Sequence, residues 1–196
     1  MREPVFVDSI KLYNGRFCNI TCHEDRINKT RTRFFGPRAP IQLIPPDTMR
    51  EGLYKCRIEY SREILSTAFL PYSPKQITSL QIVYVKNFDY SFKYRDRSQI
   101  TELFNQRGTA DDVLIVNNGF VSDSSFANIA FYGEDGWVTP DTPLLCGTKR
   151  RELIEKKILR ECRITPDDIK GYSAACLINA MNEIGTVQIQ CNRIFA

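Results

Sequence analysis

The chain has 196 residues, of which 42% are hydrophobic, 11% aromatic and 26% charged. That balance excludes a disordered, a collagen-like and a coiled-coil chain, and the length suffices for a real core in one large domain or two small lobes. Lys+Arg exceed Asp+Glu by 27 − 23 = +4, an excess that permits a polyanionic partner without arguing for nucleic acid.

Residues 4–13 alternate apolar and polar in their second half, which predicts a half-buried strand. Asn14-Gly15 predicts a hairpin turn, with Arg16-Phe17-Cys18-Asn19-Ile20 as the return strand. From Glu24 to Phe35 the period changes: Ile27, Thr30, Arg31 and Phe34 share one helical face, and Gly36-Pro37 ends the helix. Residues 38–52, with prolines 40, 45 and 46, read as a loop. Leu53–Tyr60 and residues 81–85 read as strands, and Pro71-Tyr72-Ser73-Pro74 marks the connection between them. Residues 97–107 fit a helix with Ile100, Leu103 and Phe104 on one face, followed by a buried strand at 113–116 and a turn at Asn117-Asn118-Gly119. Strands at 120–121, 128–132 and 137–139 follow, the last pair joined by Gly133-Glu134-Asp135-Gly136. Gly147-Thr148 opens a helix predicted to run to about Cys162. Thr165-Pro166 caps a second, short helix, and 177–178 and 187–189 read as strands. The expected class is α+β, with an N-terminal lobe over residues 1–86 and a larger C-terminal lobe over 87–196.

No apolar run approaches the roughly 18 residues of a membrane-spanning helix, so no membrane partner is expected. The opening Met1-Arg2-Glu3-Pro4 carries an acid and a proline and is unlike a signal peptide, which leads to the expectation of a cytoplasmic protein. Seven cysteines, none in a Cys-x-x-Cys pair, read as reduced thiols. Cys18, Cys22 and His23 lie close together, but His23 is the chain's one histidine and there is no second ligand cluster, so no metal is expected.

Four places could carry chemistry, each with an ordinary alternative. The start of the later helix, Cys146-Gly147-Thr148-Lys149-Arg150, offers free N–H groups, a close backbone and positive charge, as a phosphate cradle would. It could equally be a capped helix with a solvated basic face. Lys93 lies among Phe88, Tyr90, Phe92 and Tyr94; an amine against apolar walls loses its charge more easily and suits Schiff-base chemistry. Strict alternation would instead put Lys93 on the wet face, opposite the aromatics. Asp123, among small hydroxyl residues between two strands, could be a held carboxylate or a plain turn residue. Arg26, near His23, could be a second phosphate ligand or part of a solvated helix face. All four fit pyridoxal 5'-phosphate, which needs a lysine for its aldehyde, an anion site for its phosphate and a carboxylate for its ring nitrogen.

The residues also resemble a known family, the class IV aminotransferases of fold type IV, in order along nearly the whole chain. The matching pieces are Phe6-Val7-Asp8-Ser9-Ile10, Asn14-Gly15, His23-Glu24-Asp25-Arg26-Ile27, Lys93-Tyr94-Arg95-Asp96-Arg97, Asp111 to Ile115, Gly119 to Asp123, Asn128-Ile129, Trp137-Val138-Thr139-Pro140, Pro143 to Arg150 and Ile178-Asn179-Ala180-Met181. The resemblance implies a two-lobed fold like that of D-amino-acid aminotransferase, with the cofactor between the lobes, in a short N-terminal version. It implies a homodimer acting on a small amino-bearing carboxylate. By position it makes Lys93 the lysine that joins the cofactor and moves the proton, and Asp123 the partner of the pyridine nitrogen. Arg26, with Gly147, Thr148 and Lys149, would hold the phosphate. Asn179, Ala180 and Met181 would line the substrate side, and Arg38 and Arg57 are candidates for the substrate carboxylate, if they are not simply solvated. Asp123 stands where many members carry Glu, and the segment 61–77 is short. The Asn179-Ala180 pair, and Arg97 after the lysine, look more like the family's 4-amino-4-deoxychorismate lyases, of folate biosynthesis, than its branched-chain or D-amino-acid aminotransferases. A cofactor-free binding module stays open as a different class, although helix residues 149–161 mix acids with bases as a solvated face does.

Overall fold

The computed structural model describes residues 3–196; Met1 and Arg2, which open the segment read above as unlike a signal peptide, lie outside the described residues. The chain folds into two compact units. One reaches to Ser73 and takes back Phe92–Asp96; the other holds Pro74–Ser91 and Arg97–Ala196. This corrects the boundary expected between residues 86 and 87. Residues 80–85 are hydrogen-bonded into the second unit's sheet, and the segment carrying Lys93 belongs with the first.

In the first unit, β1 (Phe6–Tyr13), β2 (Arg16–Phe17), α1 (Ile20–Phe35), β3 (Leu53–Tyr60) and β4 (Ile64–Pro71) follow one another. The strands form an antiparallel sheet of order β2-β1-β3-β4. Every second residue of β1 from Phe6 to Leu12 is wholly buried. Helix α1 adds Ile27 to the core of Phe6, Ile10, Cys56, Ile58 and Tyr60, each full burial of such a side chain contributing roughly 1.5–3 kcal/mol. The return strand is shorter than expected because Asn19 adopts φ 53 and starts the helix at Ile20, a conformation that asparagine tolerates better than most residues. The loop 38–52 is tied to α1: the Ile41 N–H donates to Asn28 Oδ1 at 2.8 Å and the Leu43 N–H to Glu24 Oε1 at 2.7 Å. Strand β4 was not foreseen, because it lies at the sheet edge with nearly every residue exposed, so it shows no alternation.

The second unit contains β5 (Leu80–Val85), α2 (Ser98–Phe104), β6 (Asp112–Asn117), β7 (Phe120–Ser124), β8 (Asn128–Gly133), β9 (Gly136–Pro140), α3 (Thr148–Glu155), β10 (Leu159–Cys162), β11 (Ala174–Ile178), β12 (Gln188–Ile189) and β13 (Ile194–Phe195). Its mixed sheet runs β10-β9-β8-β7-β6-β5-β13, with β11 also pairing with β8 and β12 with β11. β6 is buried on both faces. Leu114 and Val116 join Val121, Ile129 and Phe131 on one side, and Val113 and Ile115 join Ile100 and Leu103 of α2 on the other. Such a strand reads as a continuous apolar run. The helix expected to reach Cys162 stops at Glu155. Lys157 takes φ 59, its N–H donates to Ile154 O at 2.9 Å, and the Ile158 N–H donates to Leu153 O at 2.9 Å. This is the paired closure of a left-handed helix end, after which β10 runs parallel to β9. A lysine where glycine is usual hid that stop. The short helix after Thr165 is a 3₁₀ segment, Pro166–Gly171, with Thr165 and Asp168 exchanging capping bonds.

Among the described residues no helix is long and apolar enough to cross a membrane. No group of three His, Cys, Asp or Glu there could hold a metal ion. The seven cysteines are free thiols.

Candidate active site

Within the first unit, Arg26 and Lys93 meet around an acid that the sequence reading passed over as a catalytic candidate. Asp8 sits on β1 on the same face as Phe6, Ile10 and Leu12, and is wholly buried. His23 and Arg26 lie three apart on α1 and so share a helix face. His23 Nδ1 lies 2.8 Å from Asp8 Oδ1, Arg26 Nη2 donates to Oδ1 at 2.8 Å, and Arg26 Nε donates to Oδ2 at 3.1 Å. The Ser9 N–H adds a bond of 2.7 Å to Oδ1. Burial works to raise Asp8's proton affinity, but the charges of Arg26 and Lys93 and the hydrogen bond from His23 outweigh it and hold the carboxyl well below its usual range. Burial lowers the His23 pKa against the pull of Asp8, and Arg26 and Lys93 lower it further. His23 is therefore neutral at pH 7, with its proton on Nδ1, since an ionised carboxylate only accepts. Two basic side chains, Arg26 and Lys93, thus act on this one carboxylate.

Lys93 is half-buried, and its charge reaches both Asp8 and His23. Residues 88–94 do not form the alternating strand that would have put it on a wet face. Only Tyr94 bridges to Phe6, and the Val7 N–H donates to Lys93 O at 2.9 Å. Phe92 and Tyr94 pack with Phe6 and Phe34 into the aromatic core beside it. Arg38 donates to Phe35 O at 3.1 Å and lies 3.9 Å from Glu63; Arg57, on β3, pairs with Glu59 at 2.9 Å. Both guanidinium groups already have protein partners.

Within the second unit, Asp123 lies on β7 and is 5% exposed. Asn128 Nδ2 donates to its Oδ1 at 2.7 Å and the Leu145 N–H to its Oδ2 at 3.0 Å. Burial pushes its pKa up to about 6, against the lowering effect of those two donors and of Arg150. Each oxygen keeps a second lone pair, so the acid is suited to a buried cation that would pull it into the ionised form. The same Asn128 amide donates to Leu145 O at 2.9 Å. Two residues on, Gly147 precedes α3. A Cβ there would lie 2.0 Å from Asn128 Oδ1, so any other residue would have to push the Asn128 side chain out of place. No side chain caps α3, and its first turn contains no acid, which leaves its opening N–H groups and dipole suited to an anion. Thr148 and Lys149 are buried there. The Lys149 ammonium, however, is held by Glu152 at 2.7 Å and Glu183 at 2.8 Å, so its backbone N–H, not its charge, is what it offers. Asn179 Oδ1 accepts the N–H groups of Met181 at 2.8 Å and Asn182 at 3.0 Å. That stiffens the turn; Met181 is buried and Ala180 half-buried. A buried acid, a glycine cradle and an acid-free helix start fit the ring and phosphate ends of pyridoxal phosphate.

Asp8 and Asn128 were the functional candidates missed. The signal for Asp8 was present, an acid on the apolar parity of β1. Asn128 gave none, because its partners lie 5 and 17 residues away.

Comparison with known proteins bears on these clusters. A profile of the family described as amino-transferase class IV matches residues 6–189. An uncharacterized protein of Haemophilus influenzae is 36% identical over 187 residues, spanning 91% of this chain and 98% of its own. The crystal structure of a protein named as a putative 4-amino-4-deoxychorismate lyase from Haemophilus somnus superposes with TM-score 0.83 at 31% identity, covering 94% of this chain and 100% of that one. A hypothetical aminotransferase from Mycobacterium tuberculosis, in its PLP-bound form, shares the fold with TM-score 0.72 at 16% identity over 97% of this chain and 81% of that one.

Proposed function

The chain belongs to the class IV aminotransferase family of fold-type IV, pyridoxal-phosphate-dependent enzymes, and on that footing we propose that it is a 4-amino-4-deoxychorismate lyase. The reaction expels pyruvate and leaves 4-aminobenzoate, a step of folate biosynthesis. The observation that carries this reading is the likeness, along the full length of the Haemophilus somnus chain, to a protein carrying that name. The Asn179-Ala180-Met181 turn, read above as lyase-like, supports it.

When bound, the cofactor supplies an electron sink for the substrate carbon that bears the amine, which no side chain of the protein provides. Lys93 would be the residue that holds the cofactor through its amine, and that same Nζ would take and return the substrate's proton. Within the first unit, Asp8, itself bonded to neutral His23, holds Arg26 in one orientation, in which its guanidinium would offer positive charge to an anion. Within the second unit, the backbone N–H groups at Thr148 and Lys149 would donate to phosphate oxygens, with Gly147 allowing the approach. Asp123 would be drawn into its ionised form by a ring cation and would hold the proton on the pyridine nitrogen. Ala180 and Met181 face the substrate, on a turn that Asn179 stiffens. Arg38 and Arg57 remain candidates for the substrate carboxylate, each with a protein acid beside it.

We further propose a homodimer that uses β4, whose sequence Ile64 to Pro71 carries no charge and exposes Leu65 by 57% and Leu70 by 47% at a sheet edge. An exposed apolar edge of this kind needs cover. The activity test is incubation with 4-amino-4-deoxychorismate and detection of pyruvate. Pyruvate from the wild type and none from Lys93→Ala supports the lyase. Glutamate from L-leucine or D-alanine with 2-oxoglutarate, without pyruvate release, overturns it in favour of an aminotransferase.

A further inference from the structure

Asp123 and Asn128 face one another at the one register point where β7 and β8 pair. Beyond that point the Asn128 side chain does three things at once. It donates to Asp123 Oδ1 at 2.7 Å, it donates to Leu145 O at 2.9 Å, and its Oδ1 occupies the space that a side chain at residue 147 would take. Leu145 closes the loop, since its own N–H donates to Asp123 Oδ2 at 3.0 Å. The four groups form a ring of bonds, 5% exposed at both Asp123 and Asn128. Moving the 145–147 turn therefore moves Asn128, and moving Asn128 strips Asp123 of a donor.

We propose that Asn128 is a positioning residue that locks the Asp123 carboxylate to the Leu145–Gly147 turn, so that the ring-nitrogen end and the phosphate end of the cofactor site are set as one unit. This rests on the reading above for the identity of the ligand, but the coupling itself is a property of the protein alone. It also assigns Gly147 a reason beyond access for a phosphate: a methyl group there reaches Asp123 through Asn128 without touching it.

The test is a titration of the Asp123 carboxyl in the full chain by carbon NMR of labelled aspartate. The groups acting on that carboxyl are Asn128 from β8, the N–H groups of Leu144 and Leu145, and Arg150 from α3. The wild-type midpoint is expected at about 6. Asn128→Ala removes a donor to a charged acceptor and moves the midpoint up by about one pH unit. Gly147→Ala pushes Asn128 away and also moves it up. The double variant Gly147→Ala/Asn128→Ala titrates like Asn128→Ala alone, because the methyl group then meets only ordinary contact, with Arg150 Cβ at 3.9 Å. The proposal is overturned if Gly147→Ala leaves the midpoint in place or if the two shifts add. Should Gly147→Ala fail to fold, recovery of the folded double variant is the expected rescue, and a double variant that also fails to fold counts against the coupling. Wild-type binding of pyridoxal phosphate is measured alongside. A chain that shows these shifts but takes up no cofactor sinks the proposed function and leaves the coupling standing; a chain that binds cofactor with an unmoved midpoint does the reverse.

Discussion

Asp123 makes the stability of the cofactor-free chain depend on pH in a direction opposite to most carboxylates. Its pKa is about 6 folded against 3.8 for an unperturbed aspartate. A raised folded pKa means that the native state binds the proton more tightly. The contribution is fully present below the unfolded pKa and is lost as pH rises through the folded one. Between about pH 7 and pH 5 the two proton affinities yield a gain of about 1.4 kcal/mol on acidification. With a urea m-value of about 2 kcal/mol/M for a chain of this size, the unfolding midpoint rises by about 0.7 M. His23 opposes this, since its pKa is lowered by burial and its contribution is lost as pH falls. The clean measurement is therefore a difference: urea unfolding of wild type and Asp123→Asn at both pH values. The wild type should gain about 0.7 M on acidification relative to the variant. Parallel midpoints in the two proteins would refute the claim that Asp123 is buried short of a cation.

Asp8→Ala leaves Arg26, its side chain 15% exposed, without its acid and should cost about 3 kcal/mol, seen as a Tm lowered by roughly 6–12 °C. Adding Arg26→Met to that variant should recover part of the loss, and a further drop would contradict the pairing. Because Asp8's pKa is held low, its own contribution is present at neutral pH and fades only as pH falls below about 4, which an acid titration of wild type against Asp8→Asn can check. Lys157→Gly relieves a left-handed lysine at the end of α3 and should stabilise by about 1 kcal/mol in denaturant unfolding. Leu65→Glu, on the exposed β4, should shift sedimentation from dimer to monomer, and an unchanged dimer would place the interface elsewhere.

Much of the framework was legible because burial follows period. β1 and β3 alternate, β6 is a continuous apolar run, and Asn118-Gly119 turns the chain where the sequence says it should. Three things escaped, each for a local reason. β4 has no buried face to imprint a pattern. The end of α3 rests on Lys157, a residue with no preference for that conformation. Lys93 was judged by the parity of a strand that does not form, and what places it is the packing of Phe92 and Tyr94 against Phe6. At the site, Arg26 and Asp123 read from the sequence as single residues, while their partners Asp8 and Asn128 lie 18 and 5 residues away on other elements. Pairings of that kind leave no mark on spacing.

The most direct measurement treats the full chain with an equimolar amount of pyridoxal phosphate, reduces it with borohydride and maps the modified peptide by mass spectrometry. The account predicts a visible band that reduction bleaches and one adduct per chain, on Lys93, absent from Lys93→Ala. A colourless mixture, or label scattered over surface lysines with Lys93 untouched, would contradict it.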